Sequence, residues 1–297
     1  MSFLTWRSSR RLQRIAPFLQ RMVISLVLLG PVLFLASCAC RLPLFIPADS
    51  RTVFVKPLDV YKKPLVLHFS RPALAVPKVL VVYATGDGGW VGLDAELFEW
   101  MSNWGYTVVG FSSRSYLKNL TRLHDSTTPR RMQEEYQRII EFSETELNLD
   151  PDTRIILVGL SRGASFAVIA AGQPRLQDRL LGVLAIGLTK EEEFVKHQWW
   201  RRRVPRSDNT SQGLDVHPYE YLMRIPAVPV AVVQSTRDGY LKANAARELF
   251  GPDTDVRKLC PVEAKNHSFR GGCSDLFGRT RECLRWITEQ ESSETGP

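Results

Sequence analysis

The chain of 297 residues contains no C-x-x-C, no H-E-x-x-H and no set of carboxylates at ligand spacing. That leaves no motif for a metal and implies no cofactor. No internal repeat is visible, which excludes solenoid and propeller architectures. Nor is there an apolar run of the usual spanning length: the most hydrophobic stretch, 22–37, is 16 residues long and contains Pro31, whereas a membrane-crossing helix needs about 18 to 20. Acid is missing altogether from residues 1–21, which carry five arginines, Arg7, Arg10, Arg11, Arg14 and Arg21. If those five belong to a removed leader, the formal charge of +8 falls to +3. The basic pI then gives no support to nucleic-acid binding.

What is present suits one α/β domain behind a targeting segment. With 44% hydrophobic residues the chain can bury a large core. The arginine-rich start, the apolar run and Leu35-Ala36-Ser37-Cys38 look like a bacterial lipoprotein signal peptide with its lipobox. Cleavage before Cys38 and acylation of its thiol would place the protein at the periplasmic side of the cell envelope on a lipid anchor. A retained transmembrane helix is the alternative, and Ser9-Arg10-Arg11 hints at twin-arginine export. The organisation expected is a leader at 1–37, a linker at 38–52, an α/β domain at 53–291 and a disordered tail at 292–297. Strand-like runs fall at 53–56, 64–69, 79–83, 106–111, 154–158, 181–187, 228–234 and 256–262. Helical stretches at 92–104, 129–147, 162–172, 241–250 and 275–290 alternate with the later strands. This pattern predicts a mostly parallel, doubly wound sheet.

The most informative segment is Gly159-Leu160-Ser161-Arg162-Gly163, which follows the apolar run 154–158 and precedes an Ala-rich helix signal. G-x-S-x-G at a strand-to-helix turn is the nucleophile elbow of a serine hydrolase of the α/β-hydrolase fold. Small residues two positions either side let strand and helix backbones approach, so that Ser161 is presented on a strained turn. The partners should follow in the order acid, then histidine, on loops after strands. Asp238 follows the buried-strand pattern 228–234, and His267 lies between the 256–264 segment and the terminal helix. His267 is then the general base, with Asp238 orienting its imidazole. Taken singly, Ser161 reads equally as a helix N-cap and Asp238 as a turn former. Their order along the chain is what argues for a triad. The other histidines, His68, His124, His197 and His217, do not follow a late strand, and Asp208 and Asp215 lie in a polar stretch with none before them.

An oxyanion needs two preorganised donors. The N–H of Arg162 is one. The other is expected in the glycine-rich loop 84–90, from Asp87 or Gly88, between which the sequence does not choose. An insertion at 189–221 carries Trp199, Trp200, Arg201, Arg202 and Arg203. Indoles beside arginines suit a surface that touches anionic phospholipid headgroups, although a solvated charged loop is the simpler reading. With Cys38 acylated, Cys40, Cys260, Cys273 and Cys283 remain, and a Cys260–Cys273 bridge is expected to close the loop that holds His267.

Gly86-Asp87-Gly88-Gly89-Trp90, the G-x-S-x-G at 159–163, Glu193, Phe194 and Trp199, and the late His267 together resemble the bacterial virulence protein VirJ family, over roughly 75–290. The resemblance implies a periplasmic α/β hydrolase with Ser161 as nucleophile, the 87–90 loop on the oxyanion side and Trp90 at the substrate. The related AcvB proteins hydrolyse lysyl-phosphatidylglycerol, which makes an aminoacyl-phosphatidylglycerol the expected substrate. The chain departs from the family at Arg162, where members carry an aromatic. A general carboxylesterase or lipase is one alternative. A non-catalytic, lipid-anchored accessory protein with envelope partners is another.

Overall fold

The computed structural model describes residues 51–59, 64–121, 129–172, 174–193, 215–225 and 228–294. The lipobox with Cys38, Cys40 and the Trp199–Arg203 cluster lie outside these residues.

Eight strands form one sheet: β1 (Arg51–Leu58), β2 (Leu65–Pro72), β3 (Val79–Ala84), β4 (Thr107–Phe111), β5 (Arg154–Leu160), β6 (Leu180–Ile186), β9 (Val230–Ser235) and β10 (Arg257–Val262). Their order across the sheet is β1-β2-β4-β3-β5-β6-β9-β10. β2 runs antiparallel to both β1 and β4, and all other neighbours are parallel. Every residue of β3, β4, β6 and β9 is buried, as expected for strands covered on both faces. This is the α/β-hydrolase architecture.

The order reverses direction between β3 and β5, the switch point at which a doubly wound sheet opens its crevice. Helices α1 (Leu93–Asn103) and α8 (Cys273–Glu294) cover one face, where Leu97, Met101, Leu284 and Ile287 share one buried cluster with Val81, Ile156 and Val158. On the other face lie α2 (Ser113–Thr121), α3 (Pro129–Leu147), α4 (Arg162–Ala171) and the short α5 (Pro174–Gln177). In α3 the buried Met132, Glu135, Tyr136, Ile139, Ile140, Ser143 and Leu147 recur at three- and four-residue steps, one stripe of an amphipathic helix. α4 is buried throughout from Gly163 to Ala171, because it lies between the sheet and α3.

Two regions differ from the sequence expectation. α2 follows β4 where no helix was expected: its sequence is polar, with Tyr116 and Leu117 turned inward against the core beside the buried Ser113. The insertion after β6 is also not simple loop. It begins with β7 (Glu192–Glu193), which pairs antiparallel with β8 (Asp215–Val216), and ends with α6 (Pro218–Leu222), whose Tyr219 and Leu222 join the core. The remaining helix, α7 (Ala243–Phe250), links β9 to β10.

Candidate active site

Ser161 stands at the turn from β5 into α4 with φ 54° and ψ −117°, a conformation a non-glycine residue rarely adopts. The flanking glycines explain how such a turn closes. A Cβ on Gly159 would lie 2.0 Å from the Gly163 carbonyl oxygen, and one on Gly163 would lie 2.0 Å from the Ala84 oxygen. The Ser161 N–H donates to Ile186 O at 2.7 Å, fixing the elbow to β6.

His267 Nε2 lies 2.8 Å from Ser161 Oγ, and its Nδ1 lies 2.6 Å from Asp238 Oδ2. Ser161 thus meets Asp238 and His267, 77 and 106 positions further along the chain, at one rim of the sheet. Asp238 is almost wholly buried and fully engaged. Its Oδ2 also accepts Gln234 Nε2 at 3.0 Å, and its Oδ1 accepts the N–H of Tyr240 at 2.8 Å and of Leu241 at 3.4 Å. With those donors in place, the carboxylate is turned to receive Nδ1–H of the imidazole and leave Nε2 free to accept from the serine. The imidazole is boxed by the Tyr240 ring, edge-on at 4.8 Å, and by Gly187, where a Cβ would come within 3.3 Å of His267 Cε1. Gln234 was not singled out by sequence reasoning, because a glutamine at the end of a buried strand gives no sign of which way it points.

The 84–90 loop runs beside the serine: a Cβ on Gly86 would lie 3.4 Å from Ser161 Cβ. Its backbone is almost fully committed. The Gly86 carbonyl accepts Ser113 Oγ at 2.9 Å, Thr85 Oγ1 at 3.1 Å and the Gly89 N–H at 3.1 Å. The N–H of Asp87 belongs to the same planar trans peptide and therefore points the opposite way. Among the described residues neither Asp87 nor Gly88 donates its N–H to another backbone group, and Arg162 opens α4 with its own N–H beyond reach of any intrahelical acceptor. Among the described residues the amides of Arg162 and the Asp87–Gly88 segment are thus left without a backbone acceptor.

The Arg162 side chain joins three segments. It pairs with Asp87 in the loop and, through Nε at 2.7 Å, with Glu192 at the root of the insertion. Burial raises the Glu192 pKa, and the guanidinium opposes that rise.

The Trp90 ring stacks on His68 at 3.8 Å, meets Phe98 edge-on, and lies over Gly110, where a Cβ would be 2.7 Å from the indole. It packs the loop down on β2 and β4. One expectation is corrected: the Cys260–Cys273 bridge does not form. Cys260 and Cys283 are free thiols with sulfurs 3.1 Å apart, while Cys273 is disulfide-bonded elsewhere. Cys260 lies mid-strand and faces the middle of α8, so the helix brings Cys283, not its first residue, against it. Of the other candidates, Cys38, Trp199, Trp200, Arg201, Arg202 and Arg203 fall outside the described residues. Among the described residues no group of histidine, cysteine and carboxylate side chains could hold a metal.

The model of the bacterial virulence protein (VirJ) family matches residues 78–202, the part that carries the G-D-G-G-W loop and the G-L-S-R-G turn. Solved structures with a similar backbone include Est1E from Butyrivibrio proteoclasticus, 14% identical with TM-score 0.55, covering 80% of this chain and 99% of that one. The esterase Pf2001 of Pyrococcus furiosus is 15% identical with TM-score 0.54, covering 80% and 93%. XC6422 from Xanthomonas campestris, described as an α/β serine hydrolase without lid, is 18% identical with TM-score 0.51, covering 81% and 95%. No curated protein matches the chain.

Proposed function

We propose that this α/β hydrolase, VirJ-like over residues 78–202, is a serine ester hydrolase. The observation that carries the reading is the His267 imidazole spanning Asp238 and Ser161 at 2.6 and 2.8 Å. Ser161 Oγ attacks the ester carbonyl and gives its proton to His267 Nε2, while Asp238 stabilises the imidazolium. The negative oxygen is met by the N–H of Arg162 and that of Asp87, helped by the positive end of α4. His267 then returns the proton to the departing alcohol, leaving an acyl-serine. Water, deprotonated by the same imidazole, releases the acid and restores Ser161.

The ester we infer is the aminoacyl ester of an aminoacyl-phosphatidylglycerol. Three things support that choice: the VirJ-like segment, the lipobox that would anchor Cys38 at the periplasmic face of a membrane, and the tryptophan–arginine cluster of the insertion at 199–203. In this reading Arg201, Arg202 and Arg203 meet the lipid phosphate and Trp199 and Trp200 enter the headgroup layer.

Two measurements test the proposal. A fluorophosphonate should label the purified protein at Ser161, and Ser161→Ala should abolish both labelling and hydrolysis of p-nitrophenyl acetate. An unlabelled, inert wild type would overturn the hydrolase reading. Vesicles containing lysyl-phosphatidylglycerol should then release free lysine. A protein that cleaves p-nitrophenyl acetate but leaves those vesicles intact is a general carboxylesterase instead.

A further inference from the structure

Asp94 is a buried carboxylate that takes no part in the Ser161–His267–Asp238 relay. It belongs to the first turn of α1, eight residues after Gly86, and its Oδ1 accepts the Gly86 N–H at 2.7 Å and the Tyr83 hydroxyl at 3.0 Å. Tyr83 is itself fully buried in β3. One oxygen therefore ties the end of a strand, Gly86 of the loop and the start of a helix. The second oxygen, Oδ2, lies 3.7 Å from the Cβ position of Gly86 and 3.8 Å from that of Gly88. Since the same Gly86 position is 3.4 Å from Ser161 Cβ, the carboxylate occupies the underside of the loop directly behind the serine.

Placing an acid there is unfavourable. Burial raises its pKa to about 6, against the lowering effect of both hydrogen bonds, and Asp87 adds repulsion. A junction that needed only a polar acceptor would be served by a neutral side chain without that desolvation. A charged acceptor makes a shorter, stronger bond to an amide. The bond it makes here goes to the peptide immediately before the one that carries the Asp87 N–H. Asp94 holds the Gly86 N–H, and so the peptide before the Asp87 amide, while Ser113 Oγ and Thr85 Oγ1 hold the Gly86 carbonyl of that amide itself.

We propose that Asp94 is a positioning residue for acyl transfer: by anchoring Gly86 it aims the Asp87 N–H at the place where the oxyanion forms. This rests on the serine-hydrolase reading of the site. It assigns a task to a residue that no motif marks.

The test uses p-nitrophenyl acetate turnover by the full chain, with active sites counted by fluorophosphonate labelling, so that loss of folded protein does not pass for loss of chemistry. Asp94→Ala should lower kcat per labelled site by about 100-fold, the scale seen when an oxyanion donor is lost, with KM changed by less than about threefold. Asp94→Asn keeps an oxygen where Oδ1 lies and should recover kcat to within about tenfold of wild type. Asp94→Glu keeps the charge but carries the carboxylate past the Gly86 amide, and should fall below Asn. Unchanged kcat per site in Asp94→Ala, or Glu outperforming Asn, would overturn the proposal. Should the alanine variant not fold, the order of Asn and Glu decides alone. A wild type that neither turns over nor labels would instead defeat the hydrolase reading itself.

Discussion

The α-carbon of Gly163 lies so close to Ala84 that a methyl group in place of its hydrogen would approach the carbonyl oxygen to 2.0 Å. The contact crosses from the first turn of α4 to the end of β3, and neither partner can retreat because both are backbone. Gly163→Ala is therefore expected to destabilise the fold by about 3 kcal/mol, at the upper end of overpacking effects. Urea denaturation followed by circular dichroism measures it. Gly278→Ala supplies the contrast: within α8, with nothing inside 4 Å of its Cβ position, it should stabilise by about 0.5 to 1 kcal/mol.

Arg162 is the cation paired with the buried Glu192. Arg162→Met leaves that carboxylate without compensation, a change that typically removes about 3 to 5 kcal/mol. The loss should be largest at alkaline pH. Burial already raises the Glu192 pKa, and removing the guanidinium raises it further, so the penalty vanishes as the group protonates at low pH and grows as pH rises above the unfolded value. Arg162→Met/Glu192→Gln should regain most of the stability. Thermal melts of the three proteins at pH 5 and pH 8 check the sign.

Glu135, on α3, gives a second pH signature. It receives the Tyr116 hydroxyl and pairs with Arg131 at 3.1 Å, yet burial pushes its pKa up to about 8. The folded state then holds a proton that the unfolded chain releases near its ordinary value of 4.5. Stability from this group is complete below that pH, declines as pH rises, and is lost above about 8. Glu135→Gln should flatten that part of the pH dependence by up to about 1.4 kcal/mol per pH unit. Denaturant midpoints between pH 5 and pH 9 would expose a slope that fails to change.

Much of this arrangement could be read from residue order. G-L-S-R-G after an apolar strand, Asp238 after the fully buried β9, and His267 before the last helix each follow from how parallel strands deliver their loops to one end of a sheet. The strands were legible because burial on both faces demands unbroken apolar runs. The short α2 was not, since its polar sequence carries no long periodic apolar stripe. Asp94 and Gln234 were invisible for a different reason: each acts through a hydrogen bond whose partner is set by tertiary packing, and sequence spacing carries no record of it. The same limit explains Cys260. Its position before the His267 loop suggested a bridge to Cys273, but the side of the strand from which it projects sets it against Cys283.

The positive φ of Ser161 has an evolutionary edge. A serine held in that region raises the energy of the fold by about 1 to 3 kcal/mol, a burden glycine would escape. A descendant released from any need for the hydroxyl would gain robustness by drifting to glycine at 161. Ser161→Gly is thus expected to melt higher than its parent while losing all turnover, the mark of a position kept against the interest of the scaffold.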